Sequence, residues 1–249
     1  MRLLRASYLA RYLPWLCWGP VARLRSAVSA GRWGLRRRNV GYGSYIEPGV
    51  QIFGFEQVFV GSHSTISEDT LLNASRRPTG RDKIVIGNNC HIGRRNYFST
   101  GGLISIGDYG FTGVDCHFLG CGHEFKSPWK PYISTGLTAG APIVIETNCW
   151  LTTSVTVHEG VTIGRGSVIG ARSTVLEDIP PFSVAVGNPC KVVKRYDFRC
   201  NAWIDIGRWS AELEELVPDE ASYLETLRAS HPELGKSLHA ASRRFGSLR

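Results

Sequence analysis

The chain has 249 residues, 43% of them hydrophobic, with 28 glycines and a formal net charge of +8. That length and apolar content suit one or two domains with a full core and exclude a disordered chain. Residues 1–39 hold nine arginines and no acidic residue, which leaves −1 on the other 210 residues, so no nucleic-acid partner is expected of the body of the chain.

The first element, residues 1–39, is a basic aromatic N-terminal arm in which the arginines interleave with Tyr8, Tyr12, Trp15, Trp18 and Trp33. Its most apolar stretch, 12–22, is broken by Pro14, lacks a small-residue cleavage site and is too short to cross a bilayer. The composition fits a peripheral contact with an anionic membrane surface through residues 1–38, or else a solvated or subunit-docking arm.

From about Val40 a period of six takes over. Ile86, Ile92 and Phe98 form one run, Ile106, Thr112 and Phe118 another, and Ile145, Leu151, Val157, Ile163, Ile169 and Val175 the longest. Six fits neither an amphipathic helix nor an alternating strand. It marks an all-β solenoid of hexapeptide repeats, in which each coil buries its aliphatic residues by stacking on the next. Two stretches leave the period: 74–82, which reads as a loop, and 120–141, rich in Gly, Pro and aromatics including Trp129, Pro131 and Tyr132. A structureless loop as long as the second is uncommon in a compact domain and points to function.

The seven cysteines show no metal-binding spacing. Cys90 and Cys149 fall at the fifth hexad position, where small inward residues are expected, so they read as buried hydrophobes in a reducing compartment. Gly187-Asn188-Pro189 turns the chain out of the coils, and Glu212, Leu213, Leu216, Tyr223, Leu224 and Leu227 follow helical spacing. Residues 191–249 are expected to be a helical C-terminal extension, the kind of cap repeat folds require.

Among the seven histidines, His123 stands at the mouth of the long loop in Gly120-Cys121-Gly122-His123-Glu124. Flanking glycines let the backbone turn tightly there, and an imidazole at the surface suits proton abstraction near neutral pH. No nucleophile motif of the Gly-x-Ser-x-Gly kind is present.

Two stretches carry a family resemblance. One is Ile106-Gly107-Asp108, followed by Gly122-His123. The other runs from Ala141-Pro142-Ile143-Val144-Ile145 through Asn148-Cys149-Trp150-Leu151, Val161-Thr162-Ile163-Gly164, Val168-Ile169-Gly170-Ala171 and Asp178-Ile179-Pro180-Pro181 to Val186-Gly187-Asn188-Pro189-Cys190-Lys191-Val192-Val193-Lys194-Arg195-Tyr196. Over this part the chain resembles the hexapeptide-repeat O-acetyltransferases, the galactoside, maltose and bacterial surface-polysaccharide enzymes.

The resemblance implies a left-handed parallel β-helix over 40–190, assembled as a homotrimer with its active site in the groove between subunits and the loop 120–141 reaching across it. It implies that His123 is the general base, that acetyl-CoA is the co-substrate, and that no metal takes part. It sets Trp150 and Thr153 near the pantetheine arm, Ala171 at a coil edge, and Lys191 and Lys194 at the phosphates, with Arg195 beside them. On the acceptor side Asn96 is the nearest residue to a family asparagine, and Asp115 the nearest carboxylate to orient the ring. Leu176-Glu177 stands where relatives commonly have Thr-Lys, and Leu151-Thr152 where they have Ile-Gly. The implied function is a cytoplasmic acetyl-CoA-dependent O-acetyltransferase acting on a sugar hydroxyl, free or lipid-linked, in surface polysaccharide or lipopolysaccharide assembly. Amino-sugar N-acetylation and serine O-acetylation use the same scaffold. Two further readings are a γ-class zinc carbonic anhydrase, with His91, His117 and His123 as candidate ligands, and a non-catalytic trimeric scaffold.

Overall fold

The computed structural model describes residues 39–74, 83–138 and 140–232, so the arm up to residue 38, most of the 74–82 loop and the tail from 233 lie outside the described residues. The body is the expected left-handed parallel β-helix. Val40, β1 (Tyr45–Ile46) and β2 (Gln51–Phe53) make its first coil. The second holds β3 (Val58–Val60), β4 (Thr65–Ile66) and β5 (Leu71–Asn73), and the third β6 (Lys83–Ile86), β7 (His91–Ile92) and β8 (Tyr97–Ser99). β9 (Leu103–Ile106), β10 (Phe111–Thr112) and β11 (His117–Leu119) form the fourth, and β12 (Ile143–Ile145), β13 (Trp150–Leu151) and β14 (Thr156–His158) the fifth. β15 (Thr162–Ile163), β16 (Val168–Ile169) and β17 (Thr174–Val175) complete a sixth, before Ile179 and β18 (Ser183–Val186) begin a seventh.

Equivalent strands of successive coils pair in parallel, giving a triangular prism of three sheets. β3, β6, β9, β12 and β15 form the five-stranded sheet, and β2, β5, β8, β11, β14 and β17 the six-stranded one. β1, β4, β7, β10, β13, β16 and β18 belong to the nine-stranded sheet. The period of six is the length of one side of the triangle. Ile145, Leu151 and Val157 point inward from three different sheets, Ile163, Ile169 and Val175 repeat them one coil later, and all six are buried. Each such side chain contributes roughly 1.5–3 kcal/mol on burial, and only the neighbouring coil supplies that burial.

Two of the three corners are uniform four-residue turns, and each turn places one residue in the left-handed region, among them Asn89, Arg95, Asp115, Asn148 and Arg172. In most of these turns the residue after it, in the fifth hexad position, turns inward and donates to a turn carbonyl of the next coil; Val50, Gly110 and Val155 hold the position without a donor. Ser64 Oγ reaches Gly87 O at 2.7 Å, Thr70 Oγ1 reaches Gly93 O at 3.0 Å, and Asn96 Nδ2 reaches Gly113 O at 2.8 Å. Cysteines do the same: Cys90 Sγ lies 3.1 Å from Gly107 O, Cys116 Sγ 3.0 Å from Thr152 O and Cys149 Sγ 3.2 Å from Gly164 O. Burial pushes the thiols of Cys90 and Cys149 up to about 12 and that of Cys116 to about 11, so all three remain protonated donors. They are structural, as expected for Cys90 and Cys149.

The C-terminal extension departs from expectation. Residues 191–205 are not helical; they form β19 (Lys191–Asp197) and β20 (Ala202–Asp205), which add antiparallel to β18 and extend the nine-stranded sheet. The edge of β18 would otherwise expose unpaired backbone groups, which explains why strands come first. Short helices follow, α1 (Ala211–Glu214) and α2 (Glu220–Ser230), the second capped by Asp219, whose carboxylate accepts from Ser222 N at 2.9 Å. Helix α2 lies along the corner between the five- and nine-stranded sheets. Asn148 Nδ2 donates to the Tyr223 hydroxyl at 2.5 Å, Thr147 Oγ1 to Glu220 at 2.8 Å, and Arg165 to the Pro218 carbonyl.

Candidate active site

The third corner, where the six-stranded sheet gives way to the five-stranded one, carries every long excursion from the coil. The 74–82 segment leaves there between β5 and β6, and the 120–142 loop leaves there between β11 and β12. The neck of the second loop is closed by glycines: Gly120 N donates to Ser99 O at 2.7 Å and Gly140 N to Gly101 O at 3.1 Å. A Cβ at Gly140 would stand 1.7 Å from the Gly120 carbonyl oxygen, so only glycine lets the two strands of the neck pass.

Beyond the neck the loop folds back on itself. Thr138 N donates to Gly122 O at 2.8 Å and Glu124 N to Gly136 O at 3.0 Å, which bridges His123 to Leu137. His123 is exposed, and its Nδ1 lies 3.2 Å from the Thr135 carbonyl. A carbonyl only accepts, so this bond requires the proton on Nδ1 and leaves the Nε2 lone pair facing out. Thr135 therefore orients the ring, a role that sequence reasoning missed, since a backbone carbonyl leaves no residue-type signal. The loop tip exposes Trp129 and Ile133, at 92% and 93%.

Asp115, the carboxylate expected near the ring, is engaged elsewhere within the chain. It sits in a regular turn and grips Arg95 with two bonds, 2.8 and 2.9 Å, which hold its carboxyl below the usual carboxylate range. Asn96 is likewise corrected: it is buried, and its amide donors are spent on Gly93 O at 2.7 Å and Gly113 O at 2.8 Å. It occupies the fifth hexad position of its corner and belongs to the ladder, out of reach of an acceptor.

The residues expected around coenzyme A collect on the nine-stranded sheet, the prism face opposite the loop's corner. Trp150 is paired in register with Val168, Val168 with Val184, and Val184 with Lys194, so these four side chains form one outward row. With strands roughly 4.8 Å apart, the row spans about 14 Å from indole to ammonium. Thr153 and Ala171 are exposed on the adjoining corner one coil apart, where Arg172 N donates to Thr153 O at 2.9 Å. Lys191 joins the same end, its Nζ 2.7 Å from Glu177 Oε2. Both partners are exposed, and such a pair is worth roughly 0–1 kcal/mol, so an incoming phosphate is able to displace the carboxylate. Arg195 does not join this cluster. It is buried, bound to Glu214 and to Pro181 O at 3.0 Å, with its guanidinium 4.0 Å over the Trp209 ring.

In the other direction the row continues to residues that sequence reasoning passed over. Trp150 is paired with Phe111, and Phe111 with His91. The signal was present in the register, because each of the three directly precedes an inward hexad residue, Leu151, Thr112 and Ile92. His91, His117 and His123, the candidate zinc ligands, lie on the nine-stranded sheet, the six-stranded sheet and the loop, and so do not converge within the chain. Among the described residues no group of three or more His, Cys, Asp or Glu side chains is arranged to hold a metal ion.

Known proteins resemble the chain both in sequence and in fold. No family model matches the chain. A Staphylococcus aureus (strain COL) protein named "Putative acetyltransferase SACOL2570" is 45% identical over 114 residues, 46% of this chain and 56% of that protein. The galactoside O-acetyltransferase of Escherichia coli (strain K12) is 37% identical over 120 residues, 45% of this chain and 57% of that protein. The chain thus spans little more than half the length of the curated relatives it matches. Among solved structures, a mutant of AntD, an N-acyltransferase from Bacillus cereus bound to dTDP-4-amino-4,6-dideoxyglucose and coenzyme A, superposes with a TM-score of 0.56 at 18% identity, covering 78% of this chain and 96% of that one. That likeness is one of fold. Sequence homology and fold pattern together point to the hexapeptide-repeat acyltransferase superfamily, with relatives among the sugar O-acetyltransferases.

Proposed function

We propose that the protein is an acetyl-CoA-dependent O-acetyltransferase that modifies a sugar hydroxyl during surface polysaccharide or lipopolysaccharide assembly. The observation that carries the reading is the Nδ1 contact of His123 with the Thr135 carbonyl, which leaves Nε2 free to act as a base. Nε2 takes the proton of the acceptor hydroxyl as its oxygen attacks the thioester carbonyl carbon. The tetrahedral intermediate then expels the coenzyme A thiolate, which recovers the proton from the imidazolium. No acyl-enzyme forms and no metal is needed.

The row on the nine-stranded sheet suits the donor. Lys194 and the neighbouring Lys191 meet the phosphates, Val184 and Val168 lie under the pantetheine arm with Thr153 and Ala171 at its edge, and Trp150 stands toward the thioester. Base and row lie on opposite sides of the prism, which supports a homotrimer whose site pairs the loop of one protomer with the row of its neighbour. The reaction is assigned to the cytoplasm, with residues 1–38 as a peripheral contact on the inner face of the membrane. Among the described residues no helix is long and apolar enough to cross a membrane.

The test is thiol release from acetyl-CoA with a panel of nucleotide sugars, oligosaccharides, an amino sugar and serine. His123→Ala is expected to lower turnover by roughly 10²–10⁴ with coenzyme affinity little changed. Near-normal turnover rejects the base assignment. Transfer to an amine alone replaces the hydroxyl as acceptor.

A further inference from the structure

The outward row does not stop where an acetyl-CoA would. Past Trp150 it continues through Phe111 to His91, two more strand spacings, or about 10 Å of surface. The Phe111 and Trp150 rings are parallel within 10° with centroids 5.9 Å apart, and the His91 ring meets Phe111 edge-on at 5.5 Å. Phe111 and Trp150 are 43% and 45% exposed although both are large apolar side chains in regular strands. His91 is half-buried beyond Phe111, and burial lowers its proton affinity, which favours the neutral, less polar form. Between Lys194 and His91 the row runs from cation through aliphatic to aromatic, a polarity gradient that matches a molecule with an anionic head and an apolar tail.

Resting on the coenzyme A placement above, and widening its donor from acetyl to a longer acyl group, we propose that Phe111 is a specificity-determining residue, the floor of a subsite for an acyl chain longer than acetyl. An acetyl group adds a single methyl beyond the thioester carbonyl and leaves the Phe111 ring uncovered. A four-carbon chain directed along the row lies across it. Phe111 belongs to the coil from which the His123 loop departs, and Trp150 to the next one. A three-fold axis parallel to the β-helix keeps coils of neighbouring protomers level, so the aromatic end of the row is the end the base approaches.

The experiment measures dissociation constants of coenzyme A, acetyl-CoA and butyryl-CoA for the full chain and for Phe111→Ala and Phe111→Leu, with oligomeric state monitored in each. Each fully buried methylene is worth about fourfold in affinity, so the butyryl ligand is expected to bind the parent protein about fivefold or more tighter than the acetyl one. Phe111→Ala reduces that preference to within about twofold while leaving coenzyme A itself unchanged, and Phe111→Leu retains most of it. An unaltered preference in Phe111→Ala, no preference in the parent protein, or an equal loss for all three ligands with dissociation of the oligomer overturns the proposal. Failure of the parent protein to bind coenzyme A overturns the acyl-CoA reading itself, and this inference with it.

Discussion

The three corners of the prism do different work. Two are copies of one four-residue turn, coil after coil, each with a left-handed residue and, in most of them, an inward side chain that donates to the coil beyond. The third tolerates insertions from a few residues up to the whole of 120–142, and bears the exposed histidine. The contrast shows where this fold separates stability from chemistry. A turn whose side chain bonds to the next coil cannot change length without breaking the ladder on both sides of it. A corner that lacks this ladder is free to extend, and a rigid prism beneath it fixes where the extension starts.

The sharpest way to break that division is a pair of substitutions with opposite readouts. His123→Ala at the extended corner is expected to remove most turnover and leave thermal stability unchanged. Phe118→Ala, two residues before the loop leaves the coil at Gly120, empties a position where Phe98 and Phe118 stack at 4.3 Å and both are fully buried. Its cost is about 3–5 kcal/mol of stability, read by denaturant unfolding. If His123→Ala instead destabilises the fold by that amount, the loop is part of the structural ladder and the division fails.

A smaller effect sharpens the description of the regular corners. Cys90, Cys116 and Cys149 are expected to resist a thiol reagent in the folded protein near pH 8 and to react on unfolding. Their raised proton affinity also sets a direction for stability against pH. The contribution is full below about 9, where thiols of the unfolded chain begin to ionise, and is lost as pH rises toward about 12. Rapid native-state labelling of these thiols contradicts the ladder assignment.

Much of this architecture was readable before any coordinates, because six-residue spacing of Ile, Leu, Val and Phe has no other stable solution. What sequence misjudged has a common physical cause, namely that side-chain direction at a corner depends on the neighbouring coil. Asn96 looked like an acceptor contact, yet it fills the same inward position as Ser64, Thr70 and Cys116. Asp115 looked like a partner for His123, yet its left-handed turn aims it at Arg95. Arg195 alternates with Lys194 along β19, so it turns inward to Glu214 while its neighbour faces out. The strands at 191–205 were hidden because the exposed edge that attracts them is a property of the finished stack. Phe111 was overlooked since an aromatic residue in a strand is usually a packing residue.

The central claim is that loop and row belong to different protomers of one site, and mixing two inactive variants tests it most directly. One carries His123→Ala, the other Lys191→Glu with Lys194→Glu, and the two are co-refolded at equal amounts into mixed oligomers. Each site then draws its loop from one chain and its row from another, so about a quarter of the sites are intact and about a quarter of the parent turnover returns. Mixed oligomers that remain as inactive as either variant alone would contradict the shared site, because a base and a row within one chain are never restored together by mixing.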